Sequence, residues 1–467
     1  MKNIEKTLVP QFEDLCRQVM EEGEAVGMAV AIVDKTGQTL YQHCFGWRDA
    51  ENRLPVDPDT IFGLASVSKS ITCLSVMQLA ERGLIDILAS VRQYVPELRY
   101  PGITCQQLMS HAAGFLPADR TTMLGNAQKL GLSQEKEGDF AYNVPLALAG
   151  REDMLATLNG MTRFTGRPGE NFSYSNHSFS VLGDIVRLFG GQPTLPGYIR
   201  ENILAPLDMV RSGGDFLWED DNVSVLYQKK EGEMVGTRDL CTGASSLFGS
   251  GGMRSSLNDM KKYLCMYLNL GKGLNGARIL STYGAREMMK PRIPSGLTEA
   301  YGYGLAREAL EGITVVRHGG AMVGVSSEMA FSLENGIGVM VLCNTSSVGV
   351  RKVGHAAMRM ALGLDPAPER LEPSSVAWDD DFAESFCGTY YTSETGEYII
   401  TREGDLFTLE LSGLKATGRP INDYTVLTRL GHTELPVSAY INEAGEVWAI
   451  SAGLRLIPKI QKGDAAQ

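Results

Sequence analysis

Strand-like segments occur near both ends of the long first part of this chain, and helical segments lie between them. Residues 28–33 and 38–45 are strand-like runs joined by a turn, which is typical of two paired strands. Residues 313–316, 327–332 and 338–342 are further strand-like runs. Strands at both ends with helices between them favour one α+β unit. The sequence therefore predicts a single sheet that joins the N-terminal and the C-terminal strands.

Between these strands, apolar residues recur at the three- and four-residue spacing of a helix face. Gly83 follows one such segment and is typical of a helix end. Residues 117–145, in contrast, are mostly polar and irregular. The pattern predicts helices over residues 3–22, 66–81, 104–109, 181–188 and 257–268.

The composition of the chain changes after residue 364. Residues 365–373 contain three prolines and no apolar periodicity, which favours a linker. Evenly spaced short strands are typical of a β sandwich or barrel. We therefore predict a first domain over residues 1–364, a linker over 365–381 and an antiparallel β domain over 382–462. The predicted strands of that last domain are residues 398–401, 406–411, 425–430, 437–442 and 447–452.

The charge balance is acidic, with 43 Lys and Arg against 55 Asp and Glu and a net charge of −12. This argues against nucleic acid or an anionic membrane as a partner. No apolar run is long enough to span a bilayer, and charges interrupt the first predicted helix, so we expect neither a membrane span nor a signal peptide. The eight cysteines are scattered without a C-x-x-C pair. We therefore expect a cytoplasmic protein with reduced thiols.

Several motifs of other enzyme classes are missing from the sequence. There is no H-E-x-x-H and no closely spaced Cys/His set, which argues against zinc. There is no G-x-S-x-G elbow and no phosphate-binding loop, which argues against the usual α/β-hydrolase and nucleotide-binding arrangements. We therefore expect no metal and no cofactor, and a small molecule or a peptide as the substrate.

Ser66 and Lys69 lie three residues apart at the start of a predicted helix, which puts both side chains on one helical face. A serine hydroxyl is a poor nucleophile until a base takes its proton, and a lysine in an apolar setting can be that base. The preceding residues 61–65 are apolar and supply such a setting. Ser133 and Ser412 also precede a lysine by three residues, but they lack the apolar entry and the long helix. We interpret those two matches as accidental.

A second candidate motif is Tyr174-Ser-Asn176. A tyrosine beside the serine–lysine pair can pass a proton to a leaving group, and an asparagine amide can hold a substrate carbonyl. The alternative is a plain loop before a helix, with Asn176 as the helix cap. The tripeptide pattern also occurs at Tyr267 and Tyr440, in a predicted helix and in the C-terminal β region, which makes both weaker candidates.

A third candidate is His318-Gly319-Gly320, which follows a strand-like run. Glycines on a strand allow a substrate to approach the backbone closely. The next amide, Ala321 N–H, can then form an oxyanion hole together with Ser66 N–H. The alternative is an ordinary histidine in a turn before two glycines.

The order and the flanks of these motifs resemble class C β-lactamases, DD-peptidases, D-aminopeptidases and related esterases. The resemblance covers about residues 10–362. It implies a β-lactamase/transpeptidase-like fold, in which helices and a helical subdomain flank an antiparallel sheet. It rests on residues 62–72, 82–86, 103–115, 168–176, 204–209, 250–255, 301–304 and 318–320.

The resemblance also implies a role for each matching residue. Ser66 corresponds to the nucleophile that forms an acyl-enzyme, and Lys69 to the group that takes its proton. Tyr174 corresponds to the residue that relays a proton to the leaving group, and Asn176 to the contact with the substrate amide. Ser66 and Ala321 correspond to the oxyanion-hole amides.

Two features depart from the β-lactamase pattern. His318 stands where β-lactamases carry a lysine, and H-x-G is typical of the D-specific peptidases, amidases and esterases of the family, so the resemblance disfavours efficient β-lactam hydrolysis. The polar residues 119–143 resemble an insert. We hypothesise that this insert forms a lid over the pocket.

The C-terminal β region resembles the lipocalin-like domain of some D-aminopeptidases and of penicillin-binding-type thioesterases, which cyclise peptides. The resemblance rests on Gly388-Thr-Tyr-Tyr391 and the strand spacing. Four functions follow as alternatives: a serine hydrolase of amides or esters with D-amino acids, a cyclising or transferring enzyme, a β-lactamase, and a non-catalytic scaffold. The oligomeric state does not follow from the sequence.

Overall fold

The computed structural model describes residues 4–116, 150–214, 220–237, 247–369, 373–392, 394, 396–411, 413–430 and 433–460. The helices are α1 (Val9–Glu22), α2 (Ser68–Glu81), α3 (Cys105–Met109), α4 (Arg151–Asn159), α5 (Asn176–Phe189), α6 (Leu195–Ile199), α7 (Phe248–Gly251), α8 (Leu257–Leu268), α9 (Thr282–Met289), α10 (Val350–Ala361) and α11 (Asp380–Phe386). Two 3₁₀ turns (Ala65–Val67 and Val91–Gln93) and a π-helical turn (Arg200–Leu204) accompany them.

The strands divide between the two parts of the chain. Those before residue 364 are β1 (Gly27–Asp34), β2 (Thr39–Asp49), β3 (Leu54–Pro55), β4 (Ile61–Gly63), β5 (Leu226–Lys230), β6 (Glu233–Thr237), β7 (Arg254–Ser256), β8 (Ile293–Pro294), β9 (Glu299–Tyr301), β10 (Ala306–Leu310), β11 (Ile313–Met322), β12 (Val325–Ser332) and β13 (Ile337–Cys343). Those after it are β14 (Gly388–Thr392), β15 (Gly396–Glu403), β16 (Leu406–Leu411), β17 (Leu414–Asn422), β18 (Thr425–Leu430), β19 (Thr433–Ile441), β20 (Val447–Ala452) and β21 (Arg455–Pro458).

Within the described ranges, nine strands form the main sheet in the order β3-β2-β1-β13-β12-β11-β10-β9-β8. β1 pairs antiparallel with β13, with Val30 opposite Val341. The prediction that one sheet joins the N-terminal and C-terminal strands is therefore confirmed. β4 pairs with β7 and β5 with β6 outside this sheet.

Both faces of the main sheet are covered by helices. Alternate residues of a strand point to opposite faces. Val30 and Ile32 of β1 pack into an apolar cluster with α1 and α10. Ala29 and Ala31 face the other way, into a larger cluster with α2, α5 and α8. The site described below lies on this second side, where β11 packs against the 3₁₀ turn at Ala65–Val67.

Helix α2 is buried almost all round, and its apolar residues are not confined to one stripe. A helix of this kind belongs in the interior of a domain rather than at its surface. Lys69, in its first turn, is 0% exposed. The chain therefore places a lysine in an apolar interior, as the sequence predicted from the flanking residues.

In the part of the chain that the structure describes after residue 380, eight strands follow one another in an antiparallel meander from β14 to β21. Ile460 N–H donates to Thr389 O (2.8 Å), and Tyr390 bridges Lys459, so the last strand nearly meets the first. The predicted β domain is confirmed as a barrel-like sheet around its own apolar core. The predicted domain boundaries stay a prediction.

Several predicted elements differ from the observed ones in extent. The first helix begins at Val9, with Pro10 in its first turn, and not at residue 3. The strand predicted over 313–316 continues to Met322, so the two glycines after His318 lie within a strand and not in a turn. β14, β17 and β21 escaped prediction because β17 contains Gly418 and Pro420 and the other two are short.

Three further expectations concern lids, membranes and thiols. The hypothetical lid over residues 119–143 lies outside the described residues. No helix in the described ranges is long and apolar enough to cross a bilayer. The seven cysteines among the described residues are free thiols, and five of them are buried.

Candidate active site

Ser66 lies in the 3₁₀ turn between β4 and α2. Ser66 is partly exposed, whereas its neighbours Ala65 and Val67 are buried. The backbone of Ala65 has a φ of +44°, a conformation that costs an alanine about 1 kcal/mol or more and that often occurs at functional sites. The strained turn therefore presents one serine to solvent at the N-terminus of a buried helix.

Lys69 Nζ has three hydrogen-bond partners. It lies 3.1 Å from Ser66 Oγ, 2.8 Å from Asn176 Oδ1 and 2.8 Å from the carbonyl oxygen of Ser250. Burial lowers the pKa of Lys69 well below its usual range, and the nearby Arg455 charge lowers it further. The structure thus places Ser66 and Asn176, two of the predicted site residues, against the amine of Lys69, which is a third.

Tyr174 lies on the loop that enters α5, and Asn176 is the first residue of that helix. Ser175 caps this helix, since its side chain accepts a hydrogen bond from Ser178 N–H (3.3 Å). Asn176 is therefore not the cap, and its amide oxygen accepts from Lys69 instead. A single cap residue leaves the side chains on both sides of it free for the site.

The Tyr174 ring is buried beside the same amine, with Lys69 Nζ 4.6 Å from the ring centroid. Burial raises the pKa of the Tyr174 phenol above its usual value, while a hydrogen bond with the Ser66 side chain and the Arg455 charge lower it in part. The phenol therefore keeps its proton at neutral pH. Ser66, Lys69, Tyr174 and Asn176 form one connected group.

His318 lies on β11, and both of its ring nitrogens have partners. Nδ1 lies 2.6 Å from Gly319 O, and because a carbonyl only accepts, Nδ1 carries the proton. Nε2 then accepts from the Tyr301 hydroxyl at 2.7 Å. Burial, aided by the Lys69 charge, lowers the pKa of His318 to about 3, so the imidazole is neutral at neutral pH.

The two glycines after His318 face opposite sides of β11. A Cβ on Gly320 would lie 2.3 Å from Leu64 O, which shows how closely β11 approaches the turn that carries Ser66. A Cβ on Gly319 would instead lie 3.0 Å from Glu328 Oε2, on the side away from that turn. Gly320 therefore permits the close approach of β11 to the turn that carries Ser66.

His111 is a site residue that sequence reasoning missed. Its ring stacks on the Tyr174 ring with centroids 4.0 Å apart. Nδ1 accepts from Ser175 N–H at 3.0 Å, and burial lowers the pKa of His111 well below its usual range. Its signal in the sequence was its place in residues 103–115, a segment that carried the family resemblance. His111, as a neutral ring, therefore supports both the backbone of Ser175 and the ring of Tyr174.

A second missed contribution comes from the barrel. The turn between β20 and β21 reaches Tyr174, whose backbone N–H donates to Leu454 O at 3.0 Å. The guanidinium carbon of Arg455 lies 4.8 Å from the Tyr174 ring centroid. Arg455 pairs with Glu394, with 2.8 Å between Nη2 and Oε1. No local pattern announces these contacts, because they depend on how the barrel packs against the first domain.

Across the described residues, no group of three or more His, Cys, Asp or Glu side chains is arranged to hold a metal ion. The functional groups of the candidate site are instead a hydroxyl, an amine, a phenol, an amide and a neutral imidazole. Such a set moves protons and stabilises an oxyanion.

Comparison with known proteins identifies the family of the chain. The model of the β-lactamase family matches residues 12–362. A D-aminopeptidase from Cereibacter sphaeroides is 27% identical over 357 residues, which are 74% of this chain and 64% of that protein, so this chain spans less than two thirds of that relative. A D-aminopeptidase from Brucella anthropi is 26% identical over 456 residues, which are 97% of this chain and 80% of that protein.

Among solved structures, an octameric penicillin-binding protein homologue from Pyrococcus abyssi superimposes with a TM-score of 0.68 at 25% identity, and the match covers 96% of this chain and 99% of that one. The likeness therefore includes the barrel as well as the first domain. With the family model matching about three quarters of its length, the chain belongs to the β-lactamase family.

Proposed function

We propose that this protein is a serine hydrolase that forms an acyl-enzyme on Ser66 and cleaves amide or ester bonds. The observation that carries the proposal is the set of three contacts at Lys69 Nζ. Asn176 Oδ1 and Ser250 O only accept hydrogen bonds, so the amine donates to both. A neutral amine has two hydrogens for these two oxygens, and its lone pair then points to the Ser66 hydroxyl.

The acylation step follows from this arrangement. Lys69 takes the proton of Ser66 as its oxygen attacks the substrate carbonyl carbon. The backbone N–H groups of Ser66 and Ala321 stabilise the oxyanion that forms. When the C–N or C–O bond breaks, Tyr174 gives its proton to the leaving amine or alcohol. Lys69 then returns the serine proton to Tyr174, so that both groups end as they began.

Deacylation uses the same groups in reverse. A water molecule attacks the ester of Ser66 and gives a proton to the Tyr174–Lys69 pair, which returns one proton to Ser66 as the acid leaves. Asn176 donates through its amide nitrogen to the substrate carbonyl while its oxygen holds Lys69. The lysine base is thus fixed by the residue that also holds the substrate.

The neutral state of His318 supports a substrate other than a β-lactam. A residue at this place in the β-lactamases is a lysine, which carries a charge, whereas burial keeps the His318 ring uncharged at neutral pH. We propose amides or esters with a D-configured residue on the acyl side. The similarity to two proteins named D-aminopeptidase supports this choice.

Labelling with a fluorophosphonate, followed by intact-protein mass spectrometry, tests the nucleophile. We expect a single adduct on the wild-type chain and none on Ser66→Ala. Ser412→Ala is the matched control, because Ser412 also precedes a lysine by three residues, and it should label like the wild type. A wild-type chain that takes up no label under conditions where a known serine hydrolase labels fully would refute the acyl-serine mechanism.

Turnover of paired D- and L-aminoacyl p-nitroanilides and p-nitrophenyl esters then tests the substrate class. We expect the D-compounds to be preferred and a penicillin to be turned over slowly or not at all. A preference for L-compounds, or fast hydrolysis of the penicillin, would contradict the proposed substrate while leaving the nucleophile in place. Analysis of products with an added amine separates hydrolysis from transfer.

A further inference from the structure

We propose that Arg455, the first residue of β21, is a positioning residue for Tyr174, so that the barrel is part of the active site. This inference rests on the proposed function, because it assigns Arg455 a role in the proton transfers of Ser66, Lys69 and Tyr174. It goes beyond that function by drawing a second domain into the chemistry.

Two neighbouring residues of the barrel contact Tyr174. Leu454 O, in the turn after β20, accepts a hydrogen bond from Tyr174 N–H at 3.0 Å. Arg455, at the start of β21, has its guanidinium carbon 4.8 Å from the ring centroid. The turn between β14 and β15 supplies Glu394, which holds the guanidinium through Nη2 (2.8 Å) and Nε (3.3 Å). A planar guanidinium held by a carboxylate at two nitrogens has little freedom to move away from the ring.

Tyr174 is held at both its backbone and its side chain. Its N–H donates to Leu454 O, and its ring contacts the ring of His111 and the guanidinium of Arg455. A cation close to an aromatic face is attracted by it, and more strongly where water is excluded. Arg455 therefore both locates the ring and places a positive charge beside the phenol.

The charges of the two barrel residues act in opposite directions. Arg455 lowers the pKa of Lys69 and of Tyr174, whereas Glu394 raises both. The neutral lysine needed as a base is thus favoured by Arg455 and opposed by Glu394. A residue that only packed the two domains together would not give this opposite pair of effects.

Among the described residues, the other polar side chains around Tyr174 and Lys69 belong to the first domain. They are uncharged at neutral pH, because burial lowers the pKa of the histidines and raises the pKa of the thiol and the phenols. The set consists of Ser66, Cys73, His111, Asn176, His177, Tyr301 and His318. Arg455 and Glu394 are therefore the pair whose removal most directly changes the charge beside the base.

The test uses the full-length chain and p-nitrophenyl acetate, with kcat and KM measured from about pH 5 to about pH 10. We expect Arg455→Met to lower kcat about tenfold or more, with KM within about twofold, because a misplaced proton donor costs rate more than binding. Arg455→Lys should restore part of the rate. Arg429→Met, which removes another barrel arginine that pairs with a glutamate (Glu434), is the control and should leave kcat unchanged.

The pH profile supplies the signature of an electrostatic role. Without Arg455 the pKa of Lys69 rises, so the acidic limb of kcat/KM should move up by about one pH unit; in Glu394→Gln it should move down. Equal rates and profiles in Arg455→Met and wild type, or shifts of both variants in the same direction, would overturn the inference.

Failure of the inference is separable from failure of the proposed function. If the wild type neither labels with a fluorophosphonate nor hydrolyses the ester, the acyl-serine mechanism itself is wrong. Thermal denaturation of each variant shows whether it is folded. If Arg455→Met does not fold, Glu394→Gln still decides the matter, since a normal profile in that variant would refute the role of the pair.

Discussion

Two buried basic side chains lie on opposite sides of β11, and their surroundings shift their pKa values in opposite directions. Lys69 is 0% exposed, and among the described residues each of its hydrogen-bond partners is a neutral oxygen. Arg317, adjacent to His318 in the chain, is also buried, but Glu328 holds it through two nitrogens at 2.7 and 2.8 Å. Burial lowers the pKa of Lys69, whereas the carboxylates around Arg317 outweigh burial and raise its pKa.

Burial alone therefore does not decide the protonation state of a basic side chain. Without a carboxylate the buried amine loses its proton more easily and becomes a base. With carboxylates the charge is permanent and its role is structural. The second group, here called the carboxylate cluster, consists of Glu299, Glu308, Arg317, Glu328, Arg351 and His355.

The largest expected effect is on catalysis, at Lys69. Replacing the amine with an apolar chain of similar length in Lys69→Met removes the base, and we expect acylation of Ser66 to slow by about 10³-fold or more. Stability should stay within about 1–2 kcal/mol of wild type, because no carboxylate is left unpaired. Rates of fluorophosphonate labelling and urea denaturation measure the two effects. Strong destabilisation with rapid labelling would reverse the comparison.

The matching change on the other side of the sheet is Arg317→Met. It leaves Glu328 buried without its partner, and we expect a loss of about 3–5 kcal/mol in the free energy of unfolding. Urea denaturation of the variant, with Arg429→Met as an exposed-pair control, measures it. A loss below about 1 kcal/mol, no greater than for the control, would show that the carboxylate cluster does not depend on Arg317.

A smaller effect is expected from pH. Burial by itself raises the pKa of Glu308, but the hydrogen bond with His355 and the charges of Arg317 and Arg351 outweigh it and lower that pKa to about 2. Because the folded-state pKa is depressed, the stabilisation is present above the unfolded value near 4.3 and is lost as the pH falls towards 2. The loss should amount to about 3 kcal/mol across this window.

The free energy of unfolding, measured at several pH values between about 5 and 2, tests this dependence. In Glu308→Gln the slope over the same window should be smaller than in wild type, because this carboxylate no longer takes up a proton on unfolding. An unchanged slope would assign the acid sensitivity to other carboxylates of the molecule.

The parts of the site that the sequence predicted are those encoded by local spacing or by a motif. Ser66 and Lys69 are on one face of one helix, so their contact follows from helical geometry. Tyr174 and Asn176 were predicted as a tripeptide, and the structure places both against Lys69. The main sheet was predicted from its apolar strands, since a strand buried on both faces is apolar throughout.

The parts that escaped prediction depend on packing between distant segments. The neutral state of His318 follows from its burial and from the nearby Lys69 charge, and no property of the H-G-G tripeptide indicates it. Arg455 begins the last strand of the barrel, next to an ordinary turn, and its approach to Tyr174 depends on the placement of the whole barrel. Turn residues carry little pattern, which is why such contacts are invisible before folding.

The pairing of β1 with β13 has a consequence for synthesis on the ribosome. Residues 27–34 emerge well before their partner, which ends at Cys343, so the centre of the sheet forms only after roughly 300 more residues, on the order of 15–60 s later. Until then β1 exposes an apolar edge to other chains. Contacts so distant in sequence also fold slowly. The nascent protein therefore depends on protection during translation, and heterologous expression should improve at low temperature or with added chaperones.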